Sequence, residues 1–183
     1  MNLPDLPIND VLNDIKTTLQ NELDLVIEAP PGAGKTTQVP LALLEQSWLG
    51  HNKVIMLEPR RLAAKTAAQR MASIIGEPTG QTVGYRMRDE TRISEHTKIE
   101  VVTEGVFTRM LQNDPSLDGI GLVIFDEFHE RSLDTDLSLA VCLKMREIFR
   151  AENPLRLIAM SATLDSQKLI KIMDAPVIRS DGR

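Results

Sequence analysis

Short apolar runs alternate with stretches of helical periodicity along most of this chain. Five runs have strand length and lack strict alternation of apolar and polar positions: 24–29, 53–58, 98–103, 121–125 and 155–160. Apolar residues at helical spacing occupy 9–20, 35–46, 60–75, 104–113 and 134–150. Apolar strands that alternate with helices are typical of a parallel sheet covered on both faces. The pattern therefore predicts a doubly wound α/β domain with a mainly parallel sheet.

One segment departs from this alternation. Residues 82–97 (TVGYRMRDETRISEHT) show neither pattern clearly, and we expect a short extra strand and a loop there. The chain has 183 residues, 42% of them hydrophobic, which is enough for one sizeable core. Because no repeat, low-complexity tract or internal linker interrupts it, residues 1–183 are expected to form one domain.

Charge and cysteine usage limit the classes of partner and compartment. The net charge of −5 argues against simple electrostatic adhesion to nucleic acid, so any such binding needs local basic positions. No apolar run approaches membrane-spanning length, and the N-terminus lacks the pattern of a secretory signal. The single cysteine, Cys142, lies in an apolar helical pattern and fits a buried thiol in a reducing cytoplasm. We therefore expect a cytoplasmic protein without a membrane partner.

A glycine-rich stretch follows the first strand and opens a helix. Residues 29–36 (APPGAGKT) fit the phosphate-loop pattern G-x-x-x-x-G-K-[ST], except that Ala29 replaces the first glycine. Ala29 ends the strand, where a small residue suffices if its φ is negative. Backbone N–H groups at such a helix start point at phosphates. The expected nucleotide-binding residues are Pro31, Gly32, Ala33, Gly34, Lys35, Thr36 and Thr37.

An acidic pair follows another buried strand. Asp126 and Glu127 come directly after the apolar run 121–125, at the end of the strand where open α/β sheets bind ligands. Together with the Thr36 hydroxyl, Asp126 is expected to hold Mg²⁺. Lys35 is expected to neutralise the β- and γ-phosphates, and Glu127 to orient or activate the attacking water. By itself such a pair is as often a solvated loop or helix cap, and the phosphate loop upstream favours the catalytic interpretation.

Four separated motifs together resemble superfamily 2 helicases of the DEAH-box branch. Residues 126–129 (DEFH) resemble its D-E-x-H signature, and 58–61 (EPRR) resemble its P-R-R motif. Residues 103–105 (TEG) and 161–163 (SAT) are similar to two further motifs of the same branch. The run 126–140 resembles, more narrowly, the bacterial HrpB-type subfamily. The resemblance covers nearly the whole chain and implies a first RecA-like lobe of a P-loop NTPase.

The resemblance also implies roles for residues outside the phosphate loop. Arg60 and Arg61 would grip a nucleic-acid backbone, an unusual use of basic charge at a helix N-terminus. Thr103, Glu104 and Gly105 would contact the same strand, although a threonine and a glutamate are equally good residues for starting a helix.

Further along the chain, the resemblance implies residues for base contact and for coupling. Arg70 would stack on the adenine, although an exposed helix arginine is as reasonable an interpretation. His129 would act with the catalytic pair and bridge it to the segment that couples hydrolysis to movement. That segment consists of Ser161, Ala162 and Thr163.

These expectations combine into one function and one alternative. The favoured function is the ATP-binding lobe of an ATP-dependent helicase or translocase that uses ATP and Mg²⁺ on single-stranded nucleic acid. The resemblance implies RNA in preference to DNA, and no residue in the sequence identifies a 2′-hydroxyl contact that would distinguish the two. A second RecA-like lobe would complete the site, so the isolated lobe should be nearly inactive. The alternative is a nucleotide-binding regulatory or scaffold module. A GTPase is disfavoured because no N-K-x-D signature occurs.

Overall fold

A computed structural model describes residues 3–130, 132–162 and 167–182 of the chain. Its eight strands are β1 (Asp24–Glu28), β2 (Lys53–Glu58), β3 (Val83–Arg86), β4 (Thr91–Arg92), β5 (Ile99–Thr103), β6 (Ile120–Phe125), β7 (Arg156–Ser161) and β8 (Val177–Arg179). Its α-helices are α1 (Leu12–Asn21), α2 (Lys35–Leu43), α3 (Arg61–Ile74), α4 (Glu104–Asn113), α5 (Leu133–Phe149) and α6 (Gln167–Met173). Two 3₁₀ helices, Pro7–Val11 and Phe128–Glu130, complete the described elements.

The strands form a single sheet in the order β4-β3-β5-β2-β6-β7-β1-β8. Every pairing is parallel except that of β3 with β4, which is antiparallel. The two strands that precede the phosphate loop and the P-R-R motif, β1 and β2, both lie inside the sheet with a neighbour on each side. The carboxyl ends of the parallel strands therefore meet at one edge, and the loops that follow them share that edge.

Side-chain alternation along the strands divides the core into two layers. On one face, Leu25 and Ile27 of β1 pack with buried residues of α1, α2 and α3. On the other face, Val26 of β1 packs with buried residues of α4, α5 and α6. Burial of apolar side chains on both faces accounts for the near-continuous apolar strands in the sequence. The prediction of a doubly wound, mainly parallel α/β domain is confirmed.

The elements at the two ends of the sheet were the least predictable. In the segment 82–97 the structure has β3 and the short antiparallel β4, where one extra strand and a loop were expected. Helix α6 and the edge strand β8 were not predicted, because the apolar stretches that form them are short. Within the described ranges, no helix combines the length and apolarity that crossing a lipid bilayer requires.

Candidate nucleotide site

The phosphate loop joins β1 to α2 and depends on two left-handed glycines. Gly32 has φ +81° and Gly34 has φ +95°, and Gly34 is the N-cap of α2. A Cβ at Gly34 would also come within 2.8 Å of the Leu6 side chain. The N-terminal 3₁₀ segment packs under the loop, with the Ile8 N–H donating to the Ala33 carbonyl at 3.0 Å. Glycine at position 34 is thus required by both backbone conformation and space.

Ala29 occupies the position of the missing glycine without strain. It is buried in the core layer of α1 to α3, and it is not among the described residues with positive φ. Its N–H donates to the Ser161 carbonyl at 3.0 Å, which continues the pairing of β1 with β7 by one residue. An alanine methyl group fits this site, so the altered motif retains the geometry of the loop.

The residues predicted for the nucleotide and the metal come together across the sheet. Lys35 Nζ lies 3.1 Å from Glu127 Oε1, and the Lys35 side chain is buried. The Thr36 hydroxyl donates to Asp126 Oδ2 at 2.5 Å. The two contacts join the start of α2 to the end of β6, which are about 90 residues apart in sequence.

A hydroxyl and a carboxylate this close form a donor set that suits Mg²⁺, since magnesium prefers oxygen ligands and binds through one or two carboxylates together with substrate phosphates. Thr36 and Asp126 therefore fit the magnesium ion of a nucleotide complex. Glu127 follows Asp126 with φ +50°, a left-handed conformation that is uncommon for a non-glycine residue and typical of functional sites. Its backbone N–H donates to Asp126 Oδ1 at 2.8 Å, which holds the Asp126 carboxylate against the turn that follows β6.

Glu58, at the end of β2, is a buried carboxyl that the sequence interpretation did not assign to the nucleotide site. Burial, together with the neighbouring Asp126 carboxyl, raises the pKa of Glu58 to about 9. Burial also raises the pKa of Asp126. The pairing of β2 with β6 explains why Glu58 lies beside Asp126. Leu57 pairs with Phe125, so the residue that follows each of them lies at the same edge of the sheet. That register depends on β2 and β6 being neighbours, which the sequence alone does not state.

A cavity of about 390 Å³ opens beside these residues. It runs between the start of α2 and the exposed side of α3, and its lining includes Thr36, Thr37, Arg60, Arg70 and Glu127. Its volume lies in the range of small-molecule sites. Arg70 therefore lines the same cavity as Thr36 and Thr37, and its contact with a base stays a prediction.

His129 lies between the acidic pair and the S-A-T segment. Its Nδ1 is 3.2 Å from Glu127 Oε2 and 3.3 Å from the Ala162 backbone nitrogen. The neutral ring can accept the Ala162 N–H at Nδ1, whereas the protonated ring would donate to Glu127. Among the described residues, a contact from His129 to the S-A-T segment is made by the backbone N–H of Ala162. Thr163 lies outside the described residues.

The two arginines predicted to contact nucleic acid have different surroundings. Arg60 is exposed and pairs with Glu130, with 2.5 Å between Arg60 Nη2 and Glu130 Oε1. Arg61, at the first position of α3, pairs with Asp89 at 3.1 Å in the loop after β3. Both pairs are at the surface, where ion pairs contribute little to stability.

Thr103, Glu104 and Gly105 form the start of α4. Thr103 is the N-cap residue without a side-chain capping bond, and Gly105 is exposed. Glu104 Oε1 accepts hydrogen bonds from the hydroxyls of Ser132 at 2.8 Å and Thr135 at 2.5 Å. The Glu104 carboxylate therefore links the starts of α4 and α5, and the sequence interpretation missed both hydroxyl partners.

Comparison with known proteins places these features in a family. A family model described as DEAD/DEAH box helicase matches residues 12–172. The chain is 50% identical over 179 residues to the ATP-dependent RNA helicase HrpB of Escherichia coli (strain K12), covering 97% of this chain and 22% of that protein. It is 36% identical over 165 residues to a putative pre-mRNA-splicing factor ATP-dependent RNA helicase, C20H4.09, of Schizosaccharomyces pombe, covering 90% of this chain and 25% of that protein.

A solved structure of the E. coli DEAH/RHA helicase HrpB has the same fold. It superimposes with a TM-score of 0.90 at 50% identity, covering 98% of this chain and 23% of that one. The resemblance to the HrpB-type subfamily is thereby confirmed. The chain spans between a fifth and a quarter of the length of the curated relatives it matches. Because the family model matches most of its residues, the chain belongs to the DEAD/DEAH box helicase family.

Proposed function

We propose that residues 1–183 are a single RecA-like domain, the ATP-binding lobe of an ATP-dependent helicase or translocase that acts on single-stranded nucleic acid. The observation that carries the proposal is the pairing of the phosphate loop with the acidic pair, Lys35 with Glu127 and Thr36 with Asp126. A lysine at the phosphates and a Thr–Asp pair at the magnesium ion are the groups with which P-loop NTPases bind a nucleotide. A cytoplasmic location fits the buried free thiol of Cys142.

Each residue of the site has a role that follows from its position. Left-handed Gly32 and Gly34 let the loop backbone approach phosphate oxygens, and Lys35 supplies the neutralising charge. When bound, Mg²⁺ supplies Lewis-acid stabilisation of the charge on the phosphate oxygens. Glu127 accepts a proton from, or orients, the attacking water. His129 Nδ1 lies 3.2 Å from the second oxygen of that carboxylate.

Single-stranded nucleic acid, RNA in preference to DNA, is the proposed partner. The support is the family membership together with the names of two relatives, both ATP-dependent RNA helicases. In this chain Arg60, Arg61, Thr103 and Gly105 lie at the ends of β2 and β5, neighbouring strands of the sheet. Contacts there would be made with the backbone, because the chain's aromatic content of 3% provides few platforms for base stacking.

A second RecA-like lobe would complete the site from the opposite side, and it would supply an arginine to the γ-phosphate. Such an arginine contributes about 10³–10⁵ in rate in related nucleotide hydrolases. We therefore expect this lobe alone to bind nucleotide and to turn it over very slowly.

The test is a titration of the chain with fluorescent ADP and magnesium, beside Lys35→Ala and the surface control Lys144→Ala. Saturable binding is expected for the wild type and Lys144→Ala, and at least tenfold weaker binding for Lys35→Ala, which loses the buried cation. No binding by the folded wild-type chain would contradict the proposal. The alternative of a regulatory or scaffold module predicts the same binding, without any stimulation of hydrolysis by RNA in a form that includes the second lobe.

A further inference from the structure

Within this chain the Glu130 carboxylate occupies the Arg60 guanidinium group, which is the group proposed to bind phosphate. The Arg60 side chain is 72% exposed, and its guanidinium group pairs with Glu130, whose side chain is 30% exposed. The pair lies at the mouth of the nucleotide cavity, whose lining includes both residues together with Glu127. A phosphate group that reached Arg60 from solvent would have to take the place of the Glu130 carboxylate.

Glu130 is connected to the catalytic carboxylate by one tight turn. Its N–H donates to the Glu127 carbonyl at 2.9 Å, and the 3₁₀ helix Phe128–Glu130 spans the residues between them. Glu127 starts this turn with φ +50°, while its side chain contacts Lys35 and His129. A change at Glu130 would therefore reach Glu127 through three covalently linked residues.

The balance of the two interactions permits an exchange. An exposed ion pair is worth only about 0–1 kcal/mol, because solvent screens it and two side chains lose freedom. Arginine–phosphate contacts are often bidentate and are among the stronger charge-assisted hydrogen bonds. Nucleic acid can thus displace Glu130 at small cost, whereas a buried pair would resist displacement.

We propose that Glu130 holds Arg60 until nucleic-acid phosphate replaces it, and that this exchange transmits nucleic-acid binding to Glu127. Glu130 is then a positioning residue: it contacts Arg60 and, through its turn, sets the catalytic carboxylate. This inference rests on the proposed function, since it takes Arg60 as a phosphate contact. It adds Glu130 to the residues of the site, and it gives a physical route by which nucleic-acid binding can change the rate of hydrolysis.

The first test is a double-mutant cycle on binding of a short fluorescein-labelled oligouridylate to the chain at low salt, measured by anisotropy. Glu130→Gln should tighten binding about two- to fivefold, the worth of a surface pair. Arg60→Ala should weaken binding, and adding Glu130→Gln to Arg60→Ala should then have no effect. Glu147→Gln, at the far end of α5, is the control for loss of one negative charge.

The outcomes distinguish failure of the proposed exchange at Arg60 from failure of the proposed nucleic-acid function. If Glu130→Gln tightens binding equally with and without Arg60, it acts by net charge alone and the exchange is wrong. Unchanged affinity for Glu130→Gln would also overturn it. If the folded chain binds nucleotide but no variant binds the oligouridylate, both the nucleic-acid function and the exchange fail.

A second measurement tests transmission to Glu127. In a form that includes the second lobe, the ratio of ATP turnover with and without the oligouridylate should be smaller for Glu130→Gln than for the wild type, because RNA-free turnover rises. A merely structural role would lower both rates together and leave their ratio unchanged, and that result would refute transmission.

Discussion

Lys35 Nζ and Glu127 Oε1 lie 3.1 Å apart, so the proposed phosphate-binding cation and the proposed hydrolytic carboxylate are each other's partners. Lys35 is buried, and its charge requires a nearby anion. Nucleotide phosphate would supply an alternative anion and leave Glu127 to interact with water. Binding and preparation for hydrolysis are thus connected by one ion pair.

Glu127→Gln should separate binding from hydrolysis. The amide keeps the shape of the side chain but cannot accept a proton, so turnover in a form that includes the second lobe should fall by about 10²–10⁴. Nucleotide affinity should change much less, because Lys35 and Thr36 are intact. Phosphate release and fluorescent ADP titration measure the two quantities on one preparation. Equal losses in both would show that Glu127 serves binding alone.

Ser132→Ala should destabilise the chain by about 1 kcal/mol through loss of a helix cap. Ser132 is the N-cap of α5, where its hydroxyl accepts the Thr135 N–H at 3.0 Å and donates to Glu104 at 2.8 Å. Urea denaturation gives the change in unfolding free energy. Ser73→Ala, at an exposed position of α3, is the control and should be nearly neutral. A neutral Ser132→Ala would mean that water replaces the cap without cost.

Glu90→Gln should lower the free energy of unfolding at neutral pH, and the loss should be smaller in acid. Hydrogen bonds from Tyr85 and Lys65 lower the pKa of the Glu90 carboxyl below its usual value. Its contribution to stability is therefore fully present above that usual value, near 4.5, and is lost as the pH falls through the lowered one.

The check is a series of urea midpoints for Glu90→Gln and wild type from pH 7 downward. The gap between the two curves should be constant near neutrality and should narrow below pH of about 4.5. Glu152→Gln, in an exposed turn, provides a carboxylate control. A gap that widens in acid would contradict the assigned partners.

Cys142 should resist alkylation in the folded chain. Burial raises the pKa of its thiol to about 12, and the residue is 1% exposed in α5. Only the thiolate reacts, so iodoacetamide at pH 8 should label the native chain very slowly and the urea-unfolded chain readily. Mass spectrometry over time measures both rates. Comparable rates would show that α5 opens easily from the sheet.

Much of the fold could be predicted because its signals are local. The strands β1, β2, β5, β6 and β7 are apolar runs, and the helices between them repeat apolar residues at helical spacing. Helix α6 and strand β8 escaped prediction because a short apolar stretch has no distinctive period.

The chemistry of the nucleotide site was equally local in sequence. Two recognisable apolar strands are followed in the sequence by the residues of the site. The glycine loop with Lys35 and Thr36 comes after β1, and the pair Asp126 and Glu127 comes after β6. The sequence by itself thus determined the fold class, the phosphate loop and the acidic pair, since each depends on residues adjacent in the chain.

Only the tertiary structure decided which side chains meet. Glu58 lies beside Asp126 because β2 and β6 are neighbours in register. Arg60 pairs with Glu130, and Glu104 accepts bonds from Ser132 and Thr135, although each pair is separated by at least 28 residues. Strand order is set by how the whole core packs, so contacts between the ends of different strands follow from the fold and from no local pattern.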